Sequence, residues 1–280
     1  MSSELPAVFF GLSSAACWGA GDFSGGLATK RFDAFNVVAF SQMFGVALLV
    51  ALAIIFSEAM PSPGDMLLGA VAGISGAIGL VALYAGLAGG RMGLVAPVTA
   101  VVTATVPVIF GIFLEGVPAA QQMAGFVLAF IAVWLLSYAG HGTRFQPQDL
   151  ALPIASGLGF GLFLLLIGRV SDAAILWPLV SARLASISLM LLLAARLRRL
   201  ALPSPTQLPL IALAGLLDAG GNAFFALAAR AGRLDIAAIL ASLYPAVTVL
   251  LAWLILQERL VWRQWLGVIA SLAAVVLIAG

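Results

Sequence analysis

Apolar residues fill long runs of about 20 positions along this chain, and only short polar stretches interrupt them. Backbone groups in hydrocarbon must be hydrogen-bonded internally, which leaves helix bundles and closed barrels. The runs are too long and too continuous for barrel strands of about 10 alternating residues. The pattern therefore predicts an all-α integral membrane protein with ten transmembrane helices, at about residues 6–28, 34–57, 65–88, 92–114, 120–139, 149–170, 175–197, 206–229, 234–256 and 263–279.

The second half of the sequence repeats the first half about 142 residues later. The segment AVAG at 70–73 recurs as ALAG at 212–215, and Gly125 recurs as Gly267. Each half holds five apolar segments, so the second copy must enter the membrane upside down relative to the first. Inverted repeats of this kind are typical of transporters that alternate access around a site between the halves.

The repeat also divides the chain. We expect an N-terminal five-helix repeat over 1–140, a connecting loop over 141–148 and a C-terminal five-helix repeat over 149–280.

Composition agrees with a membrane location, since 63% of the residues are hydrophobic and 9% are charged. A soluble domain has roughly 25% charged residues. The net charge of +2 is too small to predict a nucleic-acid partner. The expected partners are the lipid bilayer and a small-molecule substrate, and we expect the protein to act as a monomer.

The sequence does not favour an enzyme. His141 is the only histidine and lies between the two halves, so a histidine metal site or a Ser-His triad is not expected. The lone Cys17 cannot form an internal disulfide. We therefore expect no catalytic residues, no metal and no cofactor.

Three ionisable residues fall inside predicted helices, where a charge costs about 3 kcal/mol or more. They are Asp22, Arg183 and Asp218. By helical rise, Arg183, Asp218 and Asn222 lie at similar depth, which predicts an Arg183–Asp218 ion pair. The same estimate puts Asp22 across the midplane, roughly 12 Å from Arg183.

Two interpretations of the Arg183–Asp218 pair stay open. It can lock the seventh helix to the eighth, since pairing is how a membrane protein tolerates buried charge. Alternatively, a zwitterionic substrate competes for it, with the substrate carboxylate on Arg183 and the ammonium on Asp218.

Trp18 and Asp22 lie one turn apart on one face of the first helix. Trp18 near mid-bilayer either packs or forms a cavity wall that stacks on a substrate. Asp22 is also a candidate proton carrier. Gln42, Tyr84 and Tyr244 complete the candidate substrate-binding set, together with Asn222, Arg183 and Asp218.

Three prolines are candidate hinge or gate residues. Pro97 and Pro107 lie in the fourth segment and Pro245 in the ninth, which are corresponding segments of the two halves. A proline removes a backbone hydrogen bond, and paired interruptions in two repeats indicate a binding site. We therefore expect both segments to be interrupted.

Glycines and end-of-helix acids have simpler interpretations. Glycines of the third, sixth and eighth segments are expected to allow close helix packing. Glu115 and Glu258 fall at helix C-termini, where a carboxylate opposes the helix dipole. Each is expected to have a cationic partner: Arg259 and Arg263 are near Glu258 in sequence, and an arginine distant in sequence can serve Glu115.

These features resemble the drug/metabolite transporter superfamily. The residues that carry the resemblance are Tyr244-Pro245, Glu258-Arg259 and Gly267, against Glu115 and Gly125 in the first half. The chain is most similar to the EamA-type branch, which includes YddG-like amino-acid exporters. The resemblance implies a cavity lined by helices 1–4 and 6–9, with helices 5 and 10 as buttresses.

The resemblance and the residues together predict a secondary transporter of the bacterial inner membrane. We expect it to export small amphiphilic metabolites, most of all neutral or aromatic amino acids, by alternating access. The alternative is an exporter of organic cations, drugs or sugar-type metabolites on the same fold.

The distribution of charge and the family resemblance disagree on the orientation of the protein in the membrane. Loops after odd-numbered segments carry nine Lys or Arg residues against three on the opposite face, which places both termini outside the cytoplasm. The resemblance implies that the termini are inside.

Overall fold

A computed structural model describes residues 5–30, 32–88, 92–137, 150–171, 173–197, 201–257 and 261–279. Within these residues the regular elements are helices, and the all-α prediction is confirmed. Their bounds are α1 Leu5–Thr29, α2 Ala34–Ile55, α3 Pro63–Ala88, α4 Met92–Glu115, α5 Ala120–Ser137, α6 Ala151–Ile167, α7 Leu176–Leu197, α8 Leu208–Ala231, α9 Leu234–Ala241, α10 Tyr244–Leu256 and α11 Trp262–Ala279.

The ten predicted segments correspond to these helices, with the ninth segment divided between α9 and α10. Five single helices are long and apolar enough to span a membrane, and the stretch from Leu234 to Leu256 forms a further span. The helices α5, α6 and α11 are shorter and apolar. Together with α1, a helix of 25 residues, these elements account for the ten predicted segments.

The two halves interleave around a ring. The helices α1, α8, α2, α7, α3, α6 and α4 pack against one another in that order, and α9 and α10 close the ring onto α1. Each of the helices α1–α4 of the first half therefore lies between helices of the second half. The helices α5 and α11 pack on each other outside the ring, where they contact α4 and α10. This arrangement agrees with the expected cavity and buttress helices.

Equivalent glycines bring the halves together. A Cβ at Gly73 of α3 would overlap the backbone of Ala182 on α7, and one at Gly215 of α8 would overlap the backbone of Ser41 on α2. The two contacts are related by the sequence repeat. The prediction of close packing at glycines is confirmed, because backbone meets backbone only where no side chain intervenes.

The two proline-containing spans differ. The ninth span breaks at Ser242 and Leu243, and Pro245 lies in the first turn of α10, where no intrahelical N–H is required. The helix α4 is continuous through Pro107. A break between two helices is therefore present in the ninth span and not in α4, whose ladder continues past the missing donor of Pro107. The hinge or gate roles of Pro97, Pro107 and Pro245 stay predictions.

The break in the ninth span separates two unlike half-helices. Every residue of α9 is buried, from Leu234 to Ala241. In α10 only Ala246 is buried. The half-helix α9 thus fills one end of the bundle, where α1 begins; this end is called the terminal end below. The opposite end, where α1 finishes at Thr29, is called the basic end, after the nine Lys and Arg residues that the sequence predicts for it.

Candidate functional site

The candidate site begins at the contact between α1 and α8, the most extensive in the ring. A Cβ at Gly21 would lie 3.4 Å from the backbone nitrogen of Asp218, so these residues share one depth. One turn further, the Trp18 indole donates a hydrogen bond from Nε1 to Asn222 Oδ1 over 3.1 Å. Antiparallel packing therefore pairs Trp18 with Asn222 and sets Asp22 beside Asp218.

The position of Asp22 corrects the expected depth. The estimate of roughly 12 Å between Asp22 and Arg183 along the membrane normal treated helix centres as aligned. In the structure α1 is displaced along α8, so that Gly21 meets Asp218. Asp22 consequently lies within Coulombic range of Asp218. Two carboxylates and one guanidinium then form a single cluster.

The predicted ion pair is present. Arg183 Nη2 on α7 contacts Asp218 Oδ2 on α8. The helices α7 and α8 pack mainly on α2 and only slightly on each other, so this ion pair joins two helices that have little other contact. The Arg183 side chain is 12% exposed and that of Asp218 is 46% exposed. The carboxylate is therefore the accessible member of the pair.

Asp22 is the unpaired charge of the cluster. Among the described residues it makes no ion pair or hydrogen bond, and it is exposed although it lies well inside α1. It shares a helical face with Gly11, which packs against Leu240 of α9. Asp22 therefore faces the interior of the ring, and its exposure indicates open space there.

An aromatic wall adjoins this carboxylate. The Trp18 ring stacks on Phe225 with centroids 6.0 Å apart and meets Tyr244 edge-on at 6.5 Å. The Trp18 ring also lies against Gly221, where a side chain would displace it. Asp22 lies within Coulombic range of the Tyr244 hydroxyl. The aromatic wall is therefore packed against its neighbours and also presents an aromatic surface beside the unpaired Asp22 carboxylate.

Exposure along the inner face of α1 shows which end is open. Val8, Gly11 and Ala15 are buried near the terminal end. Asp22 and Gly26 are exposed nearer the basic end, and a Cβ at Gly26 would meet nothing within 4 Å. Among the described residues, which leave out much of the loops at the basic end, the cavity is therefore open from that end down to the charged cluster and closed beyond it.

Hydrogen bonds between loops hold the terminal end closed. The Glu58 carboxylate accepts bonds from the backbone N–H groups of Ile175, Leu176 and Trp177 over 2.8–3.1 Å. The α2–α3 loop thereby caps α7, since a carboxylate at a helix N-terminus satisfies free donors and complements the dipole. This contact joins the two repeats.

A second set of bonds ties the α6–α7 loop at the same end. Asp65 accepts from the Ser171 backbone N–H at 2.9 Å and from the Ser171 hydroxyl at 2.7 Å. Arg230 of α8 donates to the carbonyl oxygens of Ser171 and Ala174 at 2.7 and 2.9 Å. Opening the terminal end requires these bonds to separate.

A third contact joins α4 to α9. Arg233 Nη2 contacts the fully buried Asp235 at 2.7 Å, and its Nε lies 4.0 Å from Glu115 Oε2. Arg233 also donates to the carbonyl oxygens of Glu115 and Gly116. The predicted distant arginine partner of Glu115 is thus confirmed. Glu258 lies outside the described residues.

The remaining candidate residues are Gln42, Tyr84, Pro97 and Pro107. Gln42 is 4% exposed, and its Oε1 has no hydrogen-bond partner in the described part of the chain. Pro107 is buried in α4. The side chains of Tyr84 and Pro97 lie outside the described part of the structure.

Sequence reasoning missed several residues of this arrangement. Phe225 follows Asp218 and Asn222 at helical spacing, a signal that could have added it to the wall. Ser62 and Asp65 have the spacing of a helix cap, and Ser62 Oγ does accept from the Asp65 N–H at 3.1 Å. Nothing in the local sequence links Glu58 to the start of α7.

The charges of the Asp22, Arg183 and Asp218 side chains do not balance. One guanidinium opposes two carboxylates, which leaves one formal negative charge. Within the described residues no three His, Cys, Asp or Glu side chains form a metal-binding group. A free carboxylate beside an aromatic face can bind an organic cation by charge and by cation–π attraction.

Comparisons with known proteins place this geometry in context. The model of the EamA-like transporter family matches residues 5–138 and 150–280. The crystal structure of another protein superposes on this chain with a TM-score of 0.81. The two sequences are 14% identical, and the match covers 98% of each chain. At that identity the likeness shows the fold alone. A search of curated proteins returned no match.

Proposed function

Because this chain belongs to the EamA-like transporter family of membrane transporters, we propose that it exports small amphiphilic metabolites bearing an ammonium group. Neutral and aromatic amino acids are the first candidates. The location would be a bacterial inner membrane, with a monomer as the working unit. Transport would proceed by alternating access, with the cavity opening in turn at the basic and terminal ends.

The observation that carries this proposal is the free carboxylate of Asp22. It faces the interior of the ring and has no hydrogen-bond or ion-pair partner among the described residues. An ionised side chain inside a membrane is costly, and such residues usually pair or line substrate pathways. A substrate ammonium at Asp22 would supply the missing partner.

The neighbouring residues have complementary roles in this proposal. Trp18 and Tyr244 would contact the apolar part of the substrate, since their rings adjoin Asp22. Arg183 has five N–H donors and can donate to Asp218 and to a substrate carboxylate at the same time. This differs from the sequence-based hypothesis, in which Asp218 receives the ammonium.

Organic amines without a carboxylate are the second candidate class. The excess negative charge of the cluster favours them, because a zwitterion leaves that charge uncompensated whereas a monocation neutralises it. The two classes differ by a single group, so a matched pair of ligands can separate them.

Uptake into proteoliposomes tests the proposal. Labelled phenylalanine and phenethylamine, which differ by one carboxylate, are each measured with the other as competitor. Saturable phenylalanine uptake supports amino-acid transport, and preference for phenethylamine supports the amine class. Uptake of neither compound above empty liposomes, with folded protein, would contradict the proposal.

A pair of variants links the result to Asp22. Asp22→Asn keeps the shape of the side chain but removes its charge, and should lower uptake at least tenfold. Asp22→Glu keeps the charge and should retain most of the wild-type uptake. Equal uptake by wild type and Asp22→Asn would show that the ammonium binds elsewhere.

A further inference from the structure

The charged cluster contains one arginine and two aspartates that differ in their accessibility. Asp22 is exposed to the cavity and unpaired in the described structure. Asp218 is also accessible, with 46% of its side chain exposed, but it is paired with Arg183. Arg183 itself is 12% exposed. The cavity therefore presents one available negative charge, although it contains two carboxylates.

We infer that Arg183 determines the charge of the accepted substrate: by neutralising Asp218, it restricts the cavity to compounds with one ammonium group. Dications such as diamines are then excluded, since the second ammonium would meet a neutral ion pair and the guanidinium of Arg183. Arg183 acts through Asp218 and is thus a specificity-determining residue as well as a positioning one.

The geometry supports this role for Arg183. Asp22 and Asp218 lie on adjacent helices at one depth, since Gly21 packs against the Asp218 backbone. They are close enough to interact electrostatically. Without the guanidinium, both carboxylates would face the same open space, and two ammonium groups a few methylenes apart could pair with both.

The cost of leaving a second ammonium unpaired makes the discrimination effective. A charge removed from water and given no partner is strongly unfavourable, whereas a paired charge is tolerated. Arg183→Gln should therefore create affinity for a diamine while weakening the preference for a monoamine. The change is one of selectivity, which a purely structural role of the ion pair would not produce.

Ligand binding to purified protein provides the test. The affinities of phenethylamine and 1,5-diaminopentane are measured for wild type, Arg183→Gln and Arg196→Gln. Arg196 is an exposed residue of the same helix and serves as the matched control. We expect the affinity ratio of diamine to monoamine to rise at least tenfold in Arg183→Gln and to stay at the wild-type value in Arg196→Gln. An unchanged ratio in folded Arg183→Gln would overturn the inference.

A second set of variants keeps the test decisive if Arg183→Gln does not fold. Asp218→Asn leaves Arg183 without its partner beside Asp22, and should lower monoamine affinity at least tenfold. Arg183→Gln combined with Asp218→Asn removes both charges and should restore it. Monoamine binding that is unaffected by Asp218→Asn, or not restored in the double variant, would overturn the inference.

This inference rests on the proposed function, but the two can fail separately. If wild type binds phenylalanine or phenethylamine and Arg183→Gln keeps the same selectivity, only the inference is wrong. If wild type binds neither compound and Arg183→Gln binds the diamine, the inference holds and the proposed substrate class is wrong.

Discussion

Trp18 packs against aromatic neighbours and also borders the proposed substrate site. Its Nε1 is engaged by Asn222, and its ring lies between Phe225 and Tyr244. The two sequence-based interpretations, packing and cavity wall, are therefore compatible. Trp18→Phe should keep the stacked surface and lose the Asn222 bond, whereas Trp18→Ala should lose both.

The expected result is a graded loss of substrate affinity. Trp18→Phe should weaken binding severalfold, since a hydrogen bond contributes about 1 kcal/mol. Trp18→Ala should weaken it more and also lower stability by about 3 to 5 kcal/mol. Titration and thermal unfolding in detergent measure the two effects. Equal affinity in all three proteins would assign Trp18 to packing alone.

Asp22 is also the predicted proton carrier. In the described structure Asp218 and Tyr244 interact with it, and Arg183 is paired with Asp218. If proton movement drives transport, Asp22→Asn should abolish dependence on a pH gradient, because the amide cannot bind and release the proton. Counterflow and gradient-driven uptake in proteoliposomes are compared. Unchanged gradient dependence in Asp22→Asn would eliminate this role.

At the scale of the helices, the close contact of α8 with α2 depends on Gly215, which has no side chain. Gly215 lies against the Ser41 backbone, whereas Gly220 of the same helix has only Cys17 Sγ nearby, at 3.7 Å from an added Cβ. Gly215→Ala should therefore destabilise the protein by about 1 to 3 kcal/mol, as overpacking usually does.

The matched control is Gly220→Ala, which should have little effect. Unfolding in denaturant measures both variants. Similar stabilities would contradict the close approach of α8 and α2.

The link between α4 and α9 depends on a buried charge. Asp235 is fully buried and its partner is Arg233. Arg233→Ala should cost about 3 to 5 kcal/mol, because it leaves an uncompensated buried carboxylate. Adding Asp235→Asn should recover part of this loss. A double variant no more stable than Arg233→Ala would show that the carboxylate is not the cause.

For the bundle as a whole, the main consequence of the structure is access from one end. In a Cys17→Ser background, Gly26→Cys should react quickly with a membrane-impermeant thiol reagent, since Gly26 faces open space. Val8→Cys should react slowly, because Val8 is buried on the same face. Equal reaction rates would contradict a cavity open at the basic end.

The same experiment determines orientation. Reagent added only outside intact cells labels Gly26→Cys directly if the basic end faces out. Labelling only after permeabilisation places the basic end in the cytoplasm, as the charge count predicts.

Much of the fold was determined by the sequence itself. Apolar length predicted the spans, the 142-residue repeat predicted two halves, and the scarcity of intramembrane charge identified Arg183 and Asp218 as partners. These properties can be inferred from the sequence because the bilayer imposes them on each segment separately. A span must be apolar, and a charge within it must be compensated.

Only the tertiary structure decided which residues share a cavity. The axial shift of α1 against α8 brought Asp22 beside Asp218, and the break after Ala241 divided the ninth span. The loop bonds of Glu58 and Asp65 closed one end. The axial shift of α1, the break in the ninth span and the closure of the terminal end all arise from close contacts between helices that are far apart in sequence. Their geometry depends on both partners at once, so no single segment encodes it.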